Sequence, residues 1–483
     1  MRVSSVKWGR TTVAITVLAV VATACGNSGA TTAPVATTAP ATAAPGATTA
    51  ASTAPSAAST APNATPGAPV AVCELAYVTG EFAPYGPALS SDVVFPIQEV
   101  INLDPPLGRP WVIYKEDLGT VGEAQAAKTC LEKDKAEILV SIAHGYQTYR
   151  DYMMEYWQAN DSPLGPSIHG GLIPGNLGGK AAEPIFRAQG LDEGLGVYAA
   201  EYAQSIGAKT VVIFATQVAG FQIAANAAEK SAPLMGMTVL ARIDEQPELP
   251  SYAAVAQKIA QFKPDAVIVQ AGSVESATLI TQAAEAGLSL NWIGETGWSQ
   301  AEFMNKLAKT VSSQKAIGYA AFSPNTTTPA WTFYQPLRDA WVAKSGVDAS
   351  AYYGADNPYA FSAYDVLVQT ALAVELAGSY KASAWAPAMF KVGDPPGDKC
   401  STYADCLKLI REGKDIDYDG VTGPGTYTTG GVNAVTPTYT GFGPDGKLLP
   451  PVLLDPQLAL STLDQVKTTA TCTPENPPNK CTY

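Results

Sequence analysis

Histidine and catalytic signatures are what this sequence has least of. Its 483 residues hold two histidines, His144 and His169. There is no Gly-x-Ser-x-Gly, no His-Glu-x-x-His and no Walker loop, so nothing assembles a nucleophile, a base and an oxyanion hole, and no catalytic residue is assigned. Gly441 to Gly446 matches Gly-x-Gly-x-x-Gly in form only. Lys447-Leu448-Leu449-Pro450-Pro451 follows and cannot open a helix, so the match is a turn and no cofactor is expected. The seven cysteines include no Cys-x-x-Cys pair, which argues against a structural metal. Basic surface is missing too: a formal net charge of −13 and a pI of about 4.7 argue against nucleic acid as a partner.

What is there begins with a leader. Arg2, Lys7 and Arg10 precede the apolar run Thr11 to Ala24, too short for a membrane span. Ala22-Thr23-Ala24-Cys25 resembles a bacterial lipobox, with Ala22 where Leu is usual. Cleavage before Cys25 would free that residue for lipidation; an ordinary signal peptide with an incidental cysteine is the alternative. Removing the three leading positive charges takes the net charge from −13 to −16. Residues 26–69 are almost entirely Ala, Thr, Pro, Ser and Gly without one charge, which predicts a disordered tether. Without Cys25 an even six cysteines remain: Cys73, Cys130, Cys400, Cys406, Cys472 and Cys481. Outside the cytoplasm an even set predicts disulfides. The favoured pairs are 73–130, which joins two segments of one predicted sheet, and 400–406 and 472–481, which close short local loops.

The stretch from Tyr77 to Asp117 organises the rest. An apolar strand ends in Tyr77-Val78-Thr79-Gly80-Glu81-Phe82-Ala83-Pro84-Tyr85-Gly86, and a helix follows with Leu89, Val93, Ile97 and Ile101 on one face. Pro96 falls inside that helix and should cost ~3 kcal/mol or kink it. After a turn, Gly108-Arg109-Pro110 leads into a second strand, completing a βαβ unit whose loop lies where open α/β sheets bind small molecules. Thr120 to Glu123 reads as a capping box for a helix through Leu131. Strands at 136–143, 210–215, 238–243, 266–270, 291–295 and 316–322 alternate with helices, and a long apolar helix runs from Pro358 to near Gly378.

The order Thr79-Gly80, Tyr85-Gly86, a helix ending Ile101-Asn102, Gly108-Arg109-Pro110 and a strand ending in Asp117 resembles the type I periplasmic binding-protein family, within it most the branched-chain amino-acid and amide binding proteins of ABC importers. The resemblance implies an α/β fold of two lobes, each a largely parallel sheet flanked by helices and joined by crossing strands. It also implies a division into 70–188 and 323–420 for lobe I and 189–322 and 421–460 for lobe II. A leader (1–24) and tether (25–69) precede these lobes, and a disulfide-closed tail (461–483) follows.

The resemblance also places candidate ligand contacts. Thr79 and Tyr85 form a lip. Gln147 or Thr148 holds a ligand carboxylate, with Thr148 favoured for its hydroxyl. His169 and Gly170 follow the next strand, where the family's small-residue and Thr pattern is absent; a surface or turn role for His169 is the alternative. Glu295, with Thr296 beside it, holds an ammonium unless it is only a solvated turn residue. Trp298 and Phe361 are pocket walls or core. Gly220 takes an aromatic slot that Phe221 can compensate, and Ser273 replaces another aromatic, which implies a roomier pocket. The expected protein is a monomeric, extracytoplasmic lipoprotein anchored at the cell membrane, not an enzyme. It would pass a small polar ligand to an ABC permease; signalling through the same closure is the alternative.

Overall fold

Every residue of Val70–Ala76 except Ala71 is buried. A strand covered on both faces belongs in the middle of a parallel sheet, and this one, β1, lies between β2 (Trp111–Asp117) and β3 (Ile138–Ser141). With β4 (Gly165–Ser167) and β5 (Ile185–Arg187) they form a parallel sheet of order β2-β1-β3-β4-β5. In the computed structural model the described residues are 67–80, 83, 86–142, 145–167, 175–299, 301–307, 311–321, 326–348, 358–433, 438–443, 447–472 and 481–482. All lie within one unit, Asn63–Tyr483. Cys25, Tyr85, His169 and Gly170 lie outside the described residues.

The helices of this first sheet are α1 (Gly86–Glu99), α2 (Leu118–Val121), α3 (Glu123–Glu132) and α4 (Arg150–Asn160). In α1, Leu89, Val93 and Ile97 are buried as the periodicity requires. The helix runs on through Pro96, whose missing N–H leaves the Asp92 carbonyl without its helical donor. The capping box is not formed. Gly122, at φ 80°, separates α2 from α3 and has no side chain to cap with, while Thr120 pairs with Thr79 instead. Arg109 forks onto Glu137 at 2.7 and 2.9 Å, joining the turn before β2 to the start of β3.

A second sheet repeats the order. β6 (Thr210–Thr216), β7 (Thr238–Glu245), β8 (Ala266–Gln270), β9 (Asn291–Gly294) and β10 (Ala316–Ala321) run parallel as β7-β6-β8-β9-β10. The alternating helices are α5 (Asp192–Ser205), α6 (Ala219–Leu234), α7 (Ala253–Phe262), α8 (Ser273–Glu285) and α9 (Ala301–Leu307).

The chain then returns to the first core with α10 (Pro329–Ser345), α11 (Pro358–Ala377), α12 (Ala382–Gly393) and α13 (Tyr403–Arg411). α11 is long and apolar enough to cross a membrane, yet it is largely buried in this core, as a helix apolar all round must be in a globular domain. Strands β11 (Asp398–Cys400), β12 (Ile416–Gly420) and β13 (Gly423–Pro424) form a small sheet beside it. β14 (Thr438–Phe442) pairs antiparallel with β10, and β15 (Leu448–Leu453) pairs antiparallel with β14 at the sheet edge. Of the formal glycine motif, Gly441 lies at the end of β14, and residues 444–446 lie outside the described residues. α14 (Pro456–Val466) packs on α5 and α6, and a short ladder of β16 (Thr471–Cys472) and β17 (Cys481–Thr482) ends the chain.

Two crossing segments run side by side between the sheets. Arg187 N–H donates to Gly431 O at 2.7 Å and Asn433 N–H to Arg187 O at 3.0 Å. The buried Asp365 carboxylate anchors the last crossing to α11, accepting from Tyr418, Val421 and Thr422. Disulfides 73–130 and 400–406 are formed; the first ties β1 to α3 rather than strand to strand. Cys472 and Cys481 sit opposite one another in their ladder, with side chains outside the described residues.

Candidate functional site

In both sheets the strand order reverses around one strand, β1 in the first and β6 in the second, and ligands of open α/β sheets bind beyond the carboxyl ends at such points. On the first sheet the wall there is built on Asp117. Its carboxylate accepts from Val78 N–H at 3.2 Å, Thr79 N–H at 3.1 Å, Gly119 N–H at 3.0 Å and Thr79 Oγ1 at 2.5 Å. These donors hold the carboxyl well below its usual range. An added Cβ at Gly119 would lie 1.8 Å from Thr79 O, so only glycine permits this closeness. Thr79 itself is exposed.

Beside it is the turn Tyr146–Thr148 after β3. Thr148 is exposed and its hydroxyl donates to Gly145 O at 2.7 Å; Gln147 is partly buried. Beneath them Glu123 accepts from Gly145 N–H at 2.6 Å and Ser141 Oγ at 3.3 Å. Burial pushes the Glu123 carboxyl up against these bonds. Behind the turn, Arg150 and Glu183, both almost fully buried, form a forked pair at 2.7 and 2.8 Å, and Tyr146 donates to the same carboxylate at 2.7 Å. A small, largely apolar cavity separates Tyr146, Tyr149 and Trp157 from Ser141 and Ser167.

On the second sheet, Glu295 follows β9 and is 8% exposed. Its Oε2 accepts from Gly297 N–H at 2.8 Å and Thr296 Oγ1 at 3.1 Å, while Oε1 has no partner among the described residues. Burial raises its pKa. Ser273, at the start of α8, donates to Gly297 O at 2.9 Å. The structure therefore brings Glu295, Thr296 and Ser273 together. Phe221 is half-buried in the first turn of α6. Trp298 is fully buried and stacks on Phe303, with ring centroids 4.6 Å apart. Phe361 is 3% exposed and meets Trp331 and Tyr334 edge-on in the first core.

Three further residues belong to this region. Glu123 fits half of a capping box along the chain, and its reach to the Gly145 turn is not visible there. Gln270 ends β8, two positions beyond Ile268, which pairs with Ile293 of β9. Gln270 therefore stands level with Glu295; it is fully buried and neither amide atom has a partner among the described residues. Asp192, opening α5, lies near Gly220. Burial pushes its carboxyl up to about 6 against the pull of Arg187. A polar residue ending an otherwise apolar strand was the one signal for Gln270. Among the described residues, the cluster with metal-ligand types is Cys73, Cys130 and Asp134, and its two sulfurs are bonded to each other.

The doubled sheet order, with helices on both sides, defines a two-lobed α/β binding fold. The family model described as periplasmic binding protein matches residues 69–439, and the chain belongs to that family. Solved structures agree on the fold. An ABC transporter substrate-binding protein from Sphaerobacter thermophilus is 15% identical, covering 80% of this chain and 97% of that one, with a TM-score of 0.59. The branched-chain amino-acid binding protein LivJ of Streptococcus pneumoniae, solved with isoleucine, is 17% identical over 80% of this chain and 99% of its own, with a TM-score of 0.55. A solute-binding protein from R. palustris in complex with benzoate is 15% identical over 80% and 96%, also at 0.55. A comparison with curated proteins returns no match.

Proposed function

We propose that this chain is an extracytoplasmic solute-binding lipoprotein that closes two lobes on a small polar ligand, amino acid or amide-like, and delivers it to an ABC permease. The observation that carries the reading is Glu295: one carboxylate oxygen is committed to its turn and the other is free. A fixed, nearly buried carboxylate with a free oxygen is what an ammonium or amide N–H requires. Gln270 adds an unpartnered donor and acceptor level with it, and an unsatisfied buried amide favours any ligand that pairs with it. Thr79, Tyr85, Gln147, Thr148, His169 and Gly170 are assigned to the lobe I wall, and Phe221, Ser273 and Thr296 to the lobe II wall. Trp298 and Phe361 support these walls from the cores behind. Lobe I is 70–188 with 323–420, and lobe II is 189–322 with 421–460. The protein acts as a monomer held to the membrane through Cys25.

A thermal-shift screen across amino acids, amides, urea-like compounds and short carboxylic acids tests the ligand class. At a ligand concentration of 100 Kd the chain gains ~2.7 kcal/mol. Replacement Cys25→Ser should move the protein from the membrane fraction to the soluble one; continued membrane association removes the lipid anchor from the account.

A further inference from the structure

We infer that the segment following α14 is a strap that ties lobe II to lobe I across the hinge and limits how far the two can part; this rests on the lobe closure proposed above. Its lobe II end is seated by Ala459, Leu463 and Val466, all buried in the core formed with α5 and α6. Four residues later Ala470, 6% exposed, is buried in the other core, the one built around β1 and α11.

Between these ends the backbone is pinned on both sides. Thr468 N–H donates to Glu193 Oε1, in the first turn of α5, at 2.8 Å. Gly175 N–H donates to Thr468 O at 3.1 Å. Asn176 reads Ala470 as a strand would: its Nδ2 donates to Ala470 O and its Oδ1 accepts from Ala470 N–H, both at 2.8 Å. The Gly175–Gly179 loop that receives the strap also packs on the last crossing, since an added Cβ at Gly430 would lie 2.2 Å from Gly175 O. The strap thus grips the hinge itself.

There is little slack. Four residues span at most ~14 Å when fully extended, and Lys467 already has extended backbone, at φ −58° and ψ 146°. Parting the lobes beyond that reach must break the Asn176–Ala470 pair or unseat α14. Asn176 is the strap's positioning residue.

The test uses the processed chain without ligand, so a failed ligand search leaves its outcome intact. Wild type, Asn176→Ala and Thr468→Pro are compared by small-angle scattering and amide hydrogen exchange. Thr468→Pro deletes the N–H that Glu193 holds and serves if Asn176→Ala does not fold. The expected result is a larger radius of gyration in each variant, with Arg187 and Asn433 hinge amides exchanging about tenfold faster, as the loss of one to two net hydrogen bonds gives. An unchanged radius, with faster exchange confined to residues 468–470, overturns the strap and reduces the tail to local packing.

Discussion

Glu123 accepts the Gly145 amide proton at 2.6 Å, tying the start of α3 to the turn that carries Gln147 and Thr148. The bond makes the candidate lobe I wall depend on a residue from a different βα unit. Replacement Glu123→Ala leaves Gly145 N–H without its acceptor and should cost ~1–3 kcal/mol in urea unfolding. Glu123→Gln retains an acceptor oxygen and should recover most of that loss. Equal losses in the two variants would show that the bond does not hold the turn.

The Arg150–Glu183 pair should carry more. Both ions are almost fully buried and Tyr146 shares the carboxylate, so removing one leaves an uncompensated charge. Glu183→Gln is expected to destabilise the chain by ~3–5 kcal/mol, measured by denaturant unfolding. A change below ~1 kcal/mol would mean that the pair contributes no more than a surface ion pair.

The two described disulfides should differ in weight. Cys73–Cys130 closes a separation of 57 residues and Cys400–Cys406 one of 6. On chain entropy alone, removing the first should cost ~2 kcal/mol more than removing the second. Paired Cys→Ala variants of each bridge, compared by urea unfolding, give that difference directly; equal costs would contradict it.

Asp192 gives a pH dependence with a definite sign. Its folded pKa is raised from 3.8 to about 6. The folded chain therefore holds a proton that the unfolded chain has lost, and stability falls as pH rises through that window. Asp192→Asn should flatten the fall in melting temperature between about pH 4 and pH 6. An unchanged slope would assign the effect to other raised carboxyls such as Asp365 or Glu123.

Much of the frame was legible because it is written in local patterns. β8 was expected at 266–270 and lies there, and the helix face Leu89, Val93, Ile97 is buried as its spacing demands. Disulfide 400–406 followed from an even count and a short separation; 73–130 followed from an even count and two segments expected in one sheet, although Cys130 lies in α3. The site was less legible because its bonds join residues distant in sequence. Thr120 and Glu123 fit a capping box, yet tertiary contacts took both side chains, Thr120 to Thr79 and Glu123 to Gly145. Gln270 reads as the end of a strand, and only the register with β9 sets it level with Glu295. The strap was invisible for the same reason: nothing near Asn176 in the sequence points to Ala470, 294 positions on.

The central claim is that Glu295 holds the amine or amide N–H of a captured ligand. Titration calorimetry of the wild type and Glu295→Gln, with the compound that most raises the melting temperature in the screen, tests it directly. The account predicts a saturable single site in the wild type and an affinity at least ~10-fold weaker in the variant, as loss of a charged hydrogen-bond partner requires. Equal affinities in the two proteins would contradict it.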